Sequence, residues 1–156
     1  MRKARKGFTL VELLIVVAIL GVLAAGLSMS STDAVDAAGA NNILNNLQSV
    51  KTAAMQMYID HGSTLDVTNL NKYLGKKSTS LKIGNDKGKY TVVTVGTPSV
   101  WYAVYQFSDN DTAGLKTKLG DKATTADLYG TADNSTFTYP YKTATTTFTR
   151  VAVRVR

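Results

Sequence analysis

The stretch KGFTLVELLIVVAILG, residues 6–21, decides how the rest of the chain is read. One carboxylate, Glu12, interrupts an otherwise apolar run, and residues 8–32 hold no other charged side chain. A helix over that stretch is about 37 Å long, enough to cross a ~30 Å hydrocarbon core. A charge inside it is costly. Insertion scales put a central Asp, Lys or Arg near ~3 kcal/mol, less near an interface. Such a residue needs a partner, and no basic side chain lies within residues 8–32. Cleavage between Gly7 and Phe8 would create one: a new α-amine four residues before Glu12. The plain alternative is a carboxylate that snorkels to the headgroup level.

The charge balance points the same way. The 156-residue chain carries 18 Lys and Arg against 11 Asp and Glu, a formal +7. Arg2, Lys3, Arg5 and Lys6 lie ahead of the apolar run, and without them the balance falls to +3. The basic character is therefore largely a property of the leader, which reads as a signal holding that end on the cytoplasmic side of a membrane. Cysteine is absent, which excludes disulfides and cysteine-ligated zinc. An ordinary secretory signal peptide is one reading, with cleavage near LAAG or SMSS. Glu12, at the start of the apolar segment, then has no purpose.

Basic residues, Gly7, then Phe8-Thr9-Leu10-Val11-Glu12 and a long apolar helix resemble the class III signal of type IV pilins and their relatives. The resemblance implies cleavage after Gly7 by a membrane-embedded prepilin peptidase and N-methylation of Phe8. It also implies that Glu12 pairs with the N-terminal amine of an adjacent subunit; such a pair is expected to set register, since a subunit docked at the wrong height leaves the charge unpaired. The family often carries a proline where Met29 stands here, and the chain has none before Pro98. Gly21, Gly26 and the weak helix formers at 27–31 still predict a helix that is continuous in the free subunit and can unwind in a filament.

Beyond Thr32 the pattern becomes amphipathic. Ala40, Ile43, Leu44, Leu47, Val50, Ala54 and Tyr58 recur at steps of three and four, one stripe seeking one partner surface. One helix is expected from Phe8 to about Asp60, stopped at His61-Gly62. The stretch Tyr58-Ile59-Asp60-His61-Gly62 resembles the Tyr-x-Asp-x-Gly run that often ends this helix in pilins and pseudopilins. A short helix is expected at 68–74 with Thr68 as N-cap, and strands at 90–95 and 100–107. Asp111 is expected to cap a helix reaching Leu119, and 123–135 to be surface loop. Residues 145–156 alternate, with Thr149, Val151, Val153 and Val155 on one face and Phe148, Arg150, Ala152, Arg154 and Arg156 on a wet, basic one.

The expected fold class is α+β, a long N-terminal helix packed by its second half on an antiparallel sheet, as the resemblance also implies. The expected organisation is a cleaved leader at 1–7, a transmembrane or filament-core helix at 8–32, and a globular domain at 33–156. The last divides into an amphipathic helix half at 33–60, a connecting loop at 61–89, and sheet and loops at 90–156.

Nothing in the sequence suggests catalysis. There is one histidine, His61, and no nucleotide fingerprint. Asp109-Asn110-Asp111-Thr112-Ala113-Gly114 departs from a calcium loop, since Gly120 stands where the bidentate glutamate belongs. No cofactor or metal is expected. The resemblance implies a structural subunit, the major pilin in the first reading and a secretion or competence pseudopilin in the second. A secreted binding protein with an ordinary signal peptide is the rival from another class. The implied partners are copies of the chain, the peptidase and methyltransferase, the membrane, and an inner-membrane platform with its ATPase. Before assembly the chain would be a single-pass membrane protein, and afterwards part of a surface fibre serving adhesion, twitching motility or DNA uptake. A basic face of Arg150, Arg154 and Arg156, with Lys142, Tyr139 and Tyr141 nearby, would suit DNA. Asn110-Asp111-Thr112 and Asn134-Ser135-Thr136 fit a glycosylation triplet.

Overall fold

The computed structural model describes residues 8–62, 67–75, 81–84, 87–142 and 148–156, with no side-chain account of 27–30 and 67–68. The leader 1–7, including Gly7, lies outside them, as do the loop expected at 76–80, two residues of the turn expected at 84–88, and 145–147. The chain divides into two compact units, one ending at Val35 and one running Asp36–Arg156.

Helix α1 spans Leu10–His61 without a break, passing through Gly21 and Gly26. It stops where expected. Gly62 has φ +70°, a conformation that side chains resist, and its N–H donates to the Tyr58 carbonyl at 2.8 Å. Helix α2 covers Val67–Leu74, so Thr68 lies inside it and does not cap it.

Four strands follow: β1 (Tyr90–Val95), β2 (Val100–Gln106), β3 (Leu128–Thr131) and β4 (Arg150–Arg154). They form one sheet in the order β1-β2-β4-β3, every pair antiparallel. The fold is α+β and pilin-like, as expected.

Within the Asp36–Arg156 unit the helix stripe and the inner face of the sheet make one core. Ala40, Ile43, Leu47, Val50, Ala54 and Met57 are buried at steps of three and four. Their core includes Trp101, Ala103 and Tyr105 of β2, Val151 and Val153 of β4, and Leu128 of β3. Tyr58 meets the Trp101 ring edge-on at 5.4 Å, and Asn46 donates to the Tyr90 hydroxyl at 3.1 Å.

Three further expectations fail. The loop expected at 123–135 contains β3. Its LYGT sequence is short and includes glycine, so it lacks a strand signature. Gly130 is there because the Phe148 ring lies over it, and an added Cβ would meet that ring at 2.5 Å.

Helix α3 (Ala113–Asp121) is capped by Thr112 instead of Asp111, its hydroxyl accepting from the Leu115 N–H at 3.0 Å. The Thr112 hydroxyl also donates to the Asp36 carboxylate at 2.5 Å, tying α3 to α1. Asp111 turns back, accepting from the Ser108 N–H at 2.7 Å and the Tyr105 hydroxyl at 2.9 Å.

The alternation assigned to the last segment holds for Val151, Val153 and Val155, but Ala152, expected on the wet face, is fully buried. Phe148 packs on the core and Thr149 is exposed, the reverse of the expected faces; the Thr149 N–H donates to the Thr131 carbonyl at 3.2 Å, one residue out of the Thr131–Arg150 register.

Candidate functional site

The site the sequence singles out is the start of α1. Phe8 and Thr9 precede the helix, which begins at Leu10. Glu12 is therefore the third helical residue and Thr9 the cap. The Thr9 N–H and hydroxyl both donate to Glu12 Oε2, each at 2.9 Å, and the Glu12 N–H donates to Thr9 Oγ1 at 3.3 Å. This is a reciprocal capping box, which satisfies donors that a helix start leaves unpaired. Its sequence signal is the spacing Thr-x-x-Glu at residues 9–12, which the argument about charge passes over.

The box engages one carboxylate oxygen, Oε2. Among the described residues Glu12 has no cationic partner. The carboxylate is thus held in one orientation with Oε1 left to accept from elsewhere.

Around it the helix is apolar on every side and uncovered. Phe8, Leu10, Leu14 and Val22 are 88%, 86%, 68% and 75% exposed, where a helix serving a core would bury one face. Among the described residues α1 is the one helix long and apolar enough to cross a membrane, with a mean hydropathy of 2.8 in its most apolar window. Gly21 and Gly26 lie in this half with nothing within 4 Å of an added Cβ.

The arginines proposed as one basic face do not gather. Arg150 and Arg154 share a sheet face, but Arg150 donates to Gln106 Oε1 at 3.2 and 3.3 Å and to the Ala132 carbonyl at 2.8 Å. Arg156 lies beyond the end of β4, and its guanidinium stacks 4.2 Å over the Tyr58 ring of α1. Val155 beside it keeps the expected buried face, so beyond the strand it is Arg156 that departs from the pattern. Nor do the acids at 109–114 converge. Asp109 pairs with Lys87 while Asp111 bonds Ser108 and Tyr105. Among the described residues no three His, Asp or Glu side chains group as metal ligands would. His61 is exposed at the end of α1, its ring edge-on to Tyr73 at 6.1 Å.

A capped, lipid-length helix entering an antiparallel sheet domain defines a pilin-like class of protein. Residues 2–28 match the family model for the prokaryotic N-terminal methylation motif, the class III signal peptide of type IV pilins. The chain therefore carries the N-terminal signal that indicates a prepilin-processed, type IV pilin-like protein. No curated protein and no solved structure matches it. The motif's family is structural.

Proposed function

We propose that this chain is the structural subunit of a type IV pilus, in the role of major pilin. Prepilin peptidase cuts between Gly7 and Phe8, and the new Phe8 amine is methylated. The apolar half of α1 stores the subunit in the membrane as a single-pass protein. An assembly platform and its ATPase then draw it into a surface fibre of identical copies. The chain's own role is structural, not enzymatic.

The observation that carries this reading is the methylation motif at residues 2–28, ending in a helix whose apolar side chains are exposed on all sides. Lipid covers them before assembly, and the same segment of other copies covers them after it. Glu12 aligns those copies. With Oε2 engaged by Thr9, Oε1 accepts from the Phe8 amine of a neighbour, and a subunit docked at the wrong height leaves that charge unpaired.

The intact mass of the exported protein tests the processing step, expected to begin at methylated Phe8. A start near Gly26 or Ser31 refutes it. Sheared surface fibres containing the chain support the major pilin, whereas a correctly processed chain confined to the cell envelope indicates a pseudopilin.

The capping box sharpens the test of Glu12. Glutamine serves the third position of such a box as well as glutamate, but carries no charge. Glu12→Gln and Glu12→Val should both insert in the membrane and both fail to assemble. Thr9→Val, which opens the box and keeps the charge, should assemble at reduced yield. Normal fibres from Glu12→Gln would show that Glu12 acts only as a helix cap.

A further inference from the structure

The two edges of the sheet are unequal. At β3 the outer edge is closed by a reciprocal pair, Gly130 N–H to the Thr138 carbonyl and Thr138 N–H to the Gly130 carbonyl, both 2.9 Å. At β1, among the described residues, only the first residue is covered. The Tyr90 N–H donates to the Lys82 carbonyl at 2.7 Å, and the Gly84 N–H to the Tyr90 carbonyl at 2.8 Å.

These bonds fix which groups point outward. Strand residues alternate between the two sides, and the Gln106 N–H donates to the Lys89 carbonyl, so 89, 91, 93 and 95 bond toward β2. Val92 and Thr94, like Tyr90, direct their N–H and C=O groups away from it. Among the described residues nothing pairs with either.

An open edge is normally blunted by a charge, a proline or a bulge. Strand β1 reads Tyr-Thr-Val-Val-Thr-Val and has none of them within it; the bulge at Gly88-Lys89, opposite Gln106, lies just before it. The charges flank one end only, at Lys82, Asp86, Lys87 and Lys89, a net positive set in which Lys87 pairs with Asp109, while the other end leads into uncharged Gly96-Thr97-Pro98-Ser99. A parallel pair of such strands would bring lysines against lysines. An antiparallel pair places each basic end beside the neutral turn of the other strand.

We propose that the β1 edge binds the β1 edge of a second copy, antiparallel, about a two-fold axis at Val93. Val92 of each strand then faces Thr94 of the other, and their outward groups exchange four hydrogen bonds. The two Val93 side chains face each other in a non-hydrogen-bonded pair, with Cβ atoms roughly 5 Å apart. Such a contact is self-complementary and closes at two copies, so it cannot be the one that lengthens a fibre. It goes beyond the proposed function and stands without it.

The chain has no cysteine, so Val93→Cys introduces a single thiol. The full chain carrying it, in detergent micelles under mild oxidation, should form a disulfide-linked dimer on a non-reducing gel. Thr94→Cys, whose sulfur would face Val92 and not its own copy, should remain at background. Adding Thr94→Pro to Val93→Cys deletes one outward N–H per copy without touching the bonds to β2. Dimer yield should fall on the order of tenfold. Thr94 is exposed, so Thr94→Lys is a second breaker that leaves folding intact and should have the same effect. Val93→Cys crosslinking no better than Thr94→Cys, or undiminished by either breaker, overturns the proposal.

Discussion

Helix α1 carries two kinds of apolar surface. Up to Leu23 nearly every large side chain is at least half exposed, on all faces. From Ala40 to Met57 the apolar positions, Met55 apart, withdraw to one stripe that packs on the core, while Asn41, Asn42, Asn45 and Gln48 take the other faces or their margins. The backbone is helical throughout, so the difference lies in where covering atoms come from. The second stretch finds them within its own chain. The first has to find them in lipid or in other copies. Stability of the folded unit and the proposed competence to assemble thus fall to separate stretches of one helix.

The largest expected effect tests that separation directly. Trp101 is fully buried against the second stretch, and Trp101→Ala should cost the Asp36–Arg156 unit about 3–5 kcal/mol. Leu14→Ala removes a comparable apolar group from the first stretch, where it is 68% exposed, and should leave the urea midpoint of that unit unchanged in micelles. Circular dichroism of both variants decides it. A midpoint lowered by Leu14→Ala would show that the first stretch also supports the fold.

An intermediate effect concerns the glycines of the first stretch. Gly21 and Gly26 have open space around an added Cβ, so Gly→Ala is sterically free and favours helix by about 1 kcal/mol at each site. If the stretch must unwind on assembly, Gly21→Ala with Gly26→Ala should lower fibre yield, and any fibre formed should show continuous helix through 21–31 in a reconstruction. Fibres at normal yield, with helix in both proteins, would mean the glycines serve close packing instead.

The two stretches were also unequally legible. The candidate site is local: Gly7, Phe8 and Glu12 lie within six residues, and one short window holds both the basic leader and the apolar run. The stripe from Ala40 to Met57, the glycine stops at 62 and 75, and strands β1 and β2 follow from periodicity and β-branched content. What escaped depends on contacts between distant residues. Gly130 reads as a turn residue until Phe148 is laid over it. Asp111 and Thr112 are equally good caps in sequence, and Tyr105 and Asp36 decide between them. Arg156 looks like part of a basic face until Tyr58 draws it across the end of the strand.

The smallest expected effect lies in the covered unit and appears only at high pH. Burial pushes the Tyr141 phenol up to about 12. Tyr90 is raised by burial, and Tyr105 by burial and by its hydrogen bond to the Asp111 carboxylate. In the unfolded chain these phenols ionise near ~10. Between those values the native state holds protons that the unfolded state has released, so stability falls as pH rises. The contribution of Tyr141 is fully present below ~10 and is lost on the way up through about 12. Tyr141→Phe keeps the ring contacts with Phe107 and Phe148 and removes the titrating group. Its urea midpoint should match the parent at neutral pH and decline less steeply between pH ~10 and about 12. The exposed stretch before Leu23 has no tyrosine, so Leu14→Ala should leave this alkaline slope unaltered. Parallel slopes for Tyr141→Phe and the parent would place the alkaline transition on Tyr90 and Tyr105, whose hydroxyls Asn46 and Asp111 hold.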